Sequence, residues 1–562
     1  MPPNPRGHSY RFTHDLIRET IERDLSAGRQ QLLHRRIGEA LEQEYPPPLD
    51  ALAYHFARSD DDAKALRSLE LAGDEAQQRS AHAAAADYFR EALARLVPPG
   101  RLVEAAPLQE KLGLALHMMG QNHEAIAVLE QALETYQAQG DEAAVHRTAG
   151  WLAGAHAQRG TAHEVVERIV ALAAPATLAG DGAATMAGGW PAALALWDGL
   201  FHLRDVTGAY ADMLAEGQAL ARAGDATGNA RLASMGHRVQ GVALIFQGRL
   251  AEGIALVEQG VVEGLAGGDR DLGRVAEATT ILATAHFATG ALQRTKTLSR
   301  KMLALARSLD RRVVVALYLS LLGTTLYVEG QWDEGRAALR EADDLYAAVP
   351  PSTTFVRSVS FRTLSLIWEG EWEEARRYLE RVGSLARSMH AVGAERQVVT
   401  RLAELDLLAG QPAAAVARLE PLAGADFEWT YAVPLLSTLA AAHLELGEGE
   451  RAATLAQRAV VEAERTGTRL YSVTALRIKG LVDARQGRAG RARESFEEGL
   501  RRARAMPFPY AEAQFLEASA RFERAHGDLE LADQQLQAAL AIVERLGARR
   551  DVERLRAARQ IT

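Results

Sequence analysis

The stretch VVVALYLSLLGTTLYVEGQWDEGRAALREADDLYAAV, residues 313–349, decides the fold. Its spacing predicts a first helix over 313–329, a turn at Gly330 and a second helix over 332–348. Gly323 lies seven residues before the turn; Gly335, Leu339 and Ala342 lie five, nine and twelve after it. Two antiparallel helices joined by so short a turn must approach closely. Small residues at Gly323 and Gly335 let the backbones meet, and Leu339 fills the space beside them. Glycine at the turn takes the left-handed conformation that ends the first helix at little steric cost.

Working outward, the same unit recurs about every forty residues. Turn glycines stand at 120, 160, 208, 248, 290, 330, 370, 410, 447, 487 and 527, and Ser80 sits one period earlier. The unit at Gly487 supplies Gly480, Ala492, Phe496 and Gly499; that at Gly120 supplies Gly113, Ala125, Leu129 and Ala132; that at Ser80 supplies Gly73, Ala85, Phe89 and Ala92. Self-similarity at such a period marks a helical solenoid, in which each repeat buries its apolar face against its neighbours. On these residues the array resembles the tetratricopeptide repeat family over about residues 63–548. The resemblance implies an all-α, right-handed α-solenoid of about twelve helix pairs. The unit is longer than that family's usual one of about 34 residues, and is similar to the variant found in large bacterial signal-transduction ATPases.

Composition fits this class. Of 562 residues, 48% are hydrophobic and 24% charged, as in ordinary soluble proteins. A net charge of −9 argues against general nucleic-acid binding. The most basic stretch, Arg485–Arg504, reads as a solvated helix face with interspersed ion pairs. The absence of cysteine excludes disulfides, thiolate catalysis and cysteine-ligated metals, and is compatible with a cytoplasmic location. The most apolar uncharged stretch, Val313–Val328, is too short for a membrane span, and no signal-type apolar run opens the chain.

Residues 10–45 depart from the repeat. Phe12, Leu16, Ile17, Ile21 and Leu25 trace one amphipathic helix, and Leu32, Leu33, Ile37 and Leu41 another, stopped by Pro46–Pro48. This segment, with Ala53, Tyr54, His55, Phe56, Ala65, Leu66, Leu71, Ala72 and Gly73 following, resembles the junction between a winged-helix region and the repeats in STAND-type ATPases and large LuxR-type ATP-binding regulators. Members of those families carry a P-loop ATPase before the junction. Here no Gly-Lys dipeptide occurs anywhere, so a Walker A site is excluded for this chain. The C-terminal residues read as a charged helix tail and supply no DNA-reading helix-turn-helix. The expectation is a sensor and scaffold region without the ATPase and without the DNA-binding domain. The expected organisation is a helical junction over 1–48, a first repeat segment over 49–175, a flexible insertion or hinge over 176–192, and the main array over 193–562.

Catalytic signatures are lacking. HEVVE at 163–167 has no second histidine at zinc-protease spacing, and no GxSxG or Rossmann glycine fingerprint appears. His14, His34 and His55 read as junction packing, and Asp60–Asp62 as a helix cap. The expectation is a non-enzyme with no cofactor and no metal.

In tetratricopeptide-like arrays the first helix of each pair lines the concave face. Ten residues before the turn lie Asp198, Arg238, Thr280, Ser320, Ser360 and Thr400; six before lie His202, Val242, Thr284, Thr324, Leu364 and Glu404; two or three before lie Phe246, Phe287, Tyr327 and Trp368. A polar column thus runs beside an aromatic one, the pairing that peptide and small-ligand sites use. The candidate binding residues are Asp198, His202, Arg238, Phe246, Phe287, Tyr327, Arg357, Trp368 and Glu404. Two readings stay open at this point. One is a scaffold for a protein or peptide, self-association into a homodimer included. The other is a sensor whose small-molecule or peptide inducer changes the curvature of the array. Neither involves direct nucleic-acid or membrane contact.

Overall fold

The computed structural model describes residues 25–96, 101–173, 190–266, 272–309, 311–424 and 429–560. Among them there are 28 α-helices and no strand, and the chain forms two compact units, residues 1–141 and 142–562. The expected insertion at 176–192 falls, up to Gly189, outside the described residues, as does the amphipathic helix expected over residues 12–25 up to Arg23 and Asp24.

The first unit holds α1 (Ala27–Leu41), α2 (Leu49–Phe56), α3 (Asp62–Gln78), α4 (His82–Ala94), α5 (Leu102–Met118) and α6 (Asn122–Gln139). Helices α1 and α2 form the junction, with Phe56 fully buried beside Leu41, Leu52 and Ala65. Asp61 caps α3, its carboxylate accepting the Lys64 backbone N–H at 3.0 Å. The cap expected from three consecutive aspartates is therefore Asp61 alone, while Asp60 and Asp62 pair with Arg35 and Arg95.

The second unit continues with α7 (Glu142–Arg159), α8 (Val166–Ala173), α9 (Trp190–Thr207), α10 (Tyr210–Thr227), α11 (Ala230–Phe246), α12 (Leu250–Ala266), α13 (Leu272–Ala288), α14 (Leu292–Ser308), α15 (Arg312–Val328) and α16 (Trp332–Ala347). After the short α17 (Thr353–Arg357) come α18 (Val359–Glu369), α19 (Trp372–Ser388), α20 (Val392–Leu408), α21 (Pro412–Leu419), α22 (Trp429–Glu445) and α23 (Gly449–Thr466). The unit ends with α24 (Arg469–Arg485), α25 (Ala489–Ala505), α26 (Pro509–Ala525), α27 (Leu529–Leu546) and α28 (Arg549–Gln560). From α3 to α27 the two units hold twelve helix pairs between them.

The repeat works as its spacing predicts. A Cβ added at Gly73 would sit 2.4 Å from the Phe89 ring, at Gly113 2.5 Å from Leu129, at Gly323 2.8 Å from Leu339 and at Gly480 2.4 Å from Phe496. Each is the glycine seven before the turn meeting the side chain nine after it. At the turn itself Gly330 has φ +82°, and the Gln331 N–H reaches back to the Leu326 carbonyl at 2.8 Å in a Schellman closure. Ser80 takes the same left-handed conformation with φ 60°.

First helices form an inner layer and second helices an outer one. In α15 every residue from Tyr318 to Val328 is buried, whereas α16 buries one stripe through Trp332, Gly335, Leu339, Ala342 and Tyr346. An all-round apolar helix belongs inside, and an amphipathic one covers it.

The second unit also coils back on itself. An added Cβ at Gly248 would sit 3.1 Å from Arg465, at Gly290 2.5 Å from Met506, and at Gly330 3.2 Å from Leu546, each time 216 or 217 residues further along. Gly160 meets Met389 in the same way, and the rings of His163 and His390 lie 4.3 Å apart. Turn loops of the earlier circuit therefore rest on the inter-pair loops of the later one. One continuous core holds residues from Ala283 to Leu405 together with residues from Leu470 to Leu555.

Candidate functional site

The inner layer of the second unit places the sequence-selected residues in three settings. The aromatic column lies in packed surroundings. Phe246 stacks on Tyr210 with ring centres 4.6 Å apart and planes 5° from parallel, and Phe287 meets the edge of Phe361 at 6.2 Å. Tyr327 is fully buried; its ring meets Trp332 and its hydroxyl donates to Glu369 at 2.6 Å. Burial and the neighbouring carboxylate push that phenol's pKa above its ordinary value. Trp368 lies against Phe508 at 5.5 Å and Tyr510 at 5.0 Å. The column thus reaches across to the later circuit of the coil. The partners of Trp368 stand about 140 residues away in sequence, where no periodicity inside a repeat points to them.

Most described hydroxyls of the polar column bond their own helices, while Thr280 donates to the Tyr318 hydroxyl at 2.9 Å and Thr324 also to the Phe361 carbonyl at 3.0 Å. Ser320 donates to the Ala316 carbonyl at 2.8 Å, Thr324 to Ser320 at 2.9 Å, Thr284 to Thr280 at 3.0 Å and Thr400 to Arg396 at 2.8 Å. Inside a buried helix this satisfies the hydroxyl without a second partner. Arg238 is buried where α11 crosses Gly260 of α12.

Charged residues make up the third setting. Asp198 and His202 lie one turn apart on α9, 3.9 Å from each other, with side chains 18% and 21% exposed. One turn further, Asp205 is buried and accepts a charge-assisted hydrogen bond from Arg357 of α17. Arg357 also lies over the Phe246 ring at 5.5 Å. So Phe246 and Arg357 meet around Asp205 and Tyr210, two residues the sequence reading did not select, while Asp198 and His202 stand about two turns and one turn before Asp205 on the same helix. Further along, Glu404 of α20 pairs with Arg401 at 2.6 Å.

The same inner layer continues past Gly410. Applying the ten-residue offset to Gly447, Gly487 and Gly527 gives Ser437, Arg477 and Glu517. Arg477 of α24 faces Glu404 of α20, Tyr510 and Arg521 of α26, and Asp551 of α28. Glu517 receives Arg521 at 2.7 Å and Arg554 as well, and Tyr510 donates to Asp551 at 3.0 Å. The sequence signal for these groups was the same offset, carried beyond the middle of the array.

Elsewhere the surface is neutralised. Five of the seven arginines in Arg485–Arg504 form ion pairs, with Asp483, Glu523, Glu498, Glu464 and Glu512 as partners. A shallow depression of about 370 Å³ on the outer layer is lined by Glu420, Arg451, Thr454 and Arg458, and Arg451 already bonds Glu420 there. Among the described residues no group of three or more histidines and carboxylates could hold a metal ion, and no helix is long and apolar enough to cross a membrane.

No family model matches the sequence, and no curated protein is similar to it. Among solved structures, the chain is similar to a Rap protein complexed with competence and sporulation factor, with TM-score 0.40 and 11% identity over 59% of this chain and 91% of that one. It is also similar to the Cut9–Hcn1 hetero-tetramer of the APC/C, with TM-score 0.33 and 13% identity over 87% and 96% of the two chains. The all-α array of helix pairs is read from the chain's own helices and their spacing.

Proposed function

We propose that this chain is a non-catalytic scaffold that binds a protein or peptide along the inner layer of its second unit. The observation that carries this reading is the presence on that layer of partly exposed charged side chains, one of them held by an ion pair between distant helices. Arg357 reaches Asp205 across 152 residues of sequence, on the helix that also carries Asp198 and His202. A preformed wall with a few charged anchors suits an extended partner more than a small enclosed substrate. The resemblance to the repeat region of STAND-type and LuxR-type regulators supports a role in bacterial signalling or transcription regulation, with switching and output supplied by other domains.

The inducer-sensor reading keeps one observation in its favour. Stacked circuits of a coil are a discrete element whose opening a ligand could bias. Native mass spectrometry of the purified chain, before and after denaturation, separates the two. A co-purifying small molecule supports the sensor, and a bare mass supports the scaffold.

The direct test of the scaffold is selection of random octapeptides displayed on phage against the whole chain. The reading predicts enriched sequences whose binding is lost when Asp198, His202 and Arg357 are replaced together by alanine. Absence of enrichment above an unrelated helical protein would overturn it.

A further inference from the structure

In the second half of the inner layer, four guanidinium groups face three carboxylates. Arg401 pairs with Glu404, Arg521 and Arg554 share Glu517, and Arg554 also reaches Asp551. That leaves Arg477. Among the described residues it forms no ion pair and no hydrogen bond, and its Nε is enclosed without an acceptor. It is half-buried on the face of α24, with Glu404, Tyr510, Asp551 and Arg521 around it but none bonded to it. Burial lowers its pKa below the ordinary guanidinium value, and the nearby phenol and carboxylates only partly offset this.

An arginine held this way is costly to the unbound protein. A guanidinium partly removed from water is normally compensated by a bonded carboxylate. Here the fold brings three carboxylates close and binds each of them to a different arginine. The local sum is one positive charge in excess, on the one side chain whose donors are unused. Five N–H donors in a rigid fork match the two oxygens of a carboxylate.

We infer that Arg477 is a carboxylate-binding residue of the inner layer, and that the partner presents an acidic group to it. The group is either an Asp or Glu side chain or a free peptide C-terminus. The peptide origin of that carboxylate rests on the scaffold reading; the anion site itself does not. Bidentate recognition would make Arg477 the determinant of specificity at one position of the partner, as Arg401, Arg521 and Arg554 are already engaged.

Two measurements test this on the whole 562-residue chain. The first is thermal unfolding with increasing succinate at constant ionic strength, for wild type, Arg477→Gln and Arg477→Lys. Wild type should be stabilised by succinate, Arg477→Gln should not respond, and Arg477→Lys should respond weakly. Without succinate, Arg477→Gln should unfold at the wild-type temperature or above, because it removes a half-buried charge that has no bonded partner. A lower midpoint for Arg477→Gln, or an equal succinate response in both proteins, would overturn the inference and assign Arg477 a structural role. The second uses the octapeptides selected on the wild-type chain. Those with an acidic residue at one position should bind Arg477→Gln about tenfold or more weakly. Replacing that acid by its amide, or amidating the C-terminus, identifies which carboxylate is read. Enriched peptides that bind both proteins equally would refute the site and leave the scaffold standing. A succinate response without any enriched peptide would leave the site standing and refute the scaffold.

Discussion

Gly330 and Gly487 occupy the same place in the repeat, with φ +82° and +73°, yet their surroundings differ. Beside Gly330 an added Cβ would lie 2.7 Å from Pro509 Cγ and 3.2 Å from Leu546, whereas beside Gly487 nothing lies within 4 Å. Alanine at either site carries the left-handed cost of about 1–2 kcal/mol. At Gly330 it must also displace a proline ring of the later circuit, an overpacking term of about 1–3 kcal/mol. Gly330→Ala should therefore lower the denaturant midpoint clearly more than Gly487→Ala. Equal losses would mean that the circuits do not touch at this point. The residue scale also shows what the sequence could carry. The contact of Gly323 with Leu339 follows from spacing because both partners lie in one repeat. The contact of Trp368 with Tyr510 does not, because its register is set by the curvature of the whole coil. Arg477 was within reach of the same offset that picked Asp198 and Arg238.

At the scale of elements, burial pattern separates the two layers. Helices such as α15 are apolar on every side and were legible as buried segments from the uncharged run Val313–Val328. The junction helices α1 and α2 are held differently. His34 and His55 meet through their Nδ1 atoms at 2.9 Å, with Tyr54 edge-on to both rings. Burial, the His34 ring and Arg58 lower the His55 pKa below its ordinary 6.5. A base with a depressed pKa binds fewer protons folded than unfolded. Its contribution is complete above pH 6.5 and is lost as pH falls through the folded value. Hydrogen exchange of residues 27–56 should accelerate between pH 7.5 and 5.5, after correction for intrinsic rates, more than exchange in α15. His55→Gln should flatten that difference. A junction whose protection is unchanged across this range would contradict the assignment.

At the scale of the second unit, the account rests on the array coiling until its loops meet again. The seam has a polar rim and an aromatic centre. Arg549 pairs with Glu371 at 3.0 Å, and Arg550 donates to the Gly370 carbonyl at 3.0 Å while lying over the Trp372 ring at 4.2 Å. Arg549 is 74% exposed, so that pair adds little stability. Trp332, Trp368, Phe508 and Tyr510 carry the apolar burial. This closure assigns the aromatic column to packing and leaves the charged groups of the inner layer as the surface on offer.

Because the chain has no cysteine, the closure can be probed with one introduced pair. Glu371→Cys and Arg549→Cys, 178 residues apart in sequence, would place two thiols at the seam, and a short bis-maleimide followed by mass spectrometry reads whether they join. The account predicts cross-linking within one chain, while the control pair Glu371→Cys with Arg488→Cys stays unlinked. Cross-linking of the seam pair no faster than the control would contradict the coiled-back array.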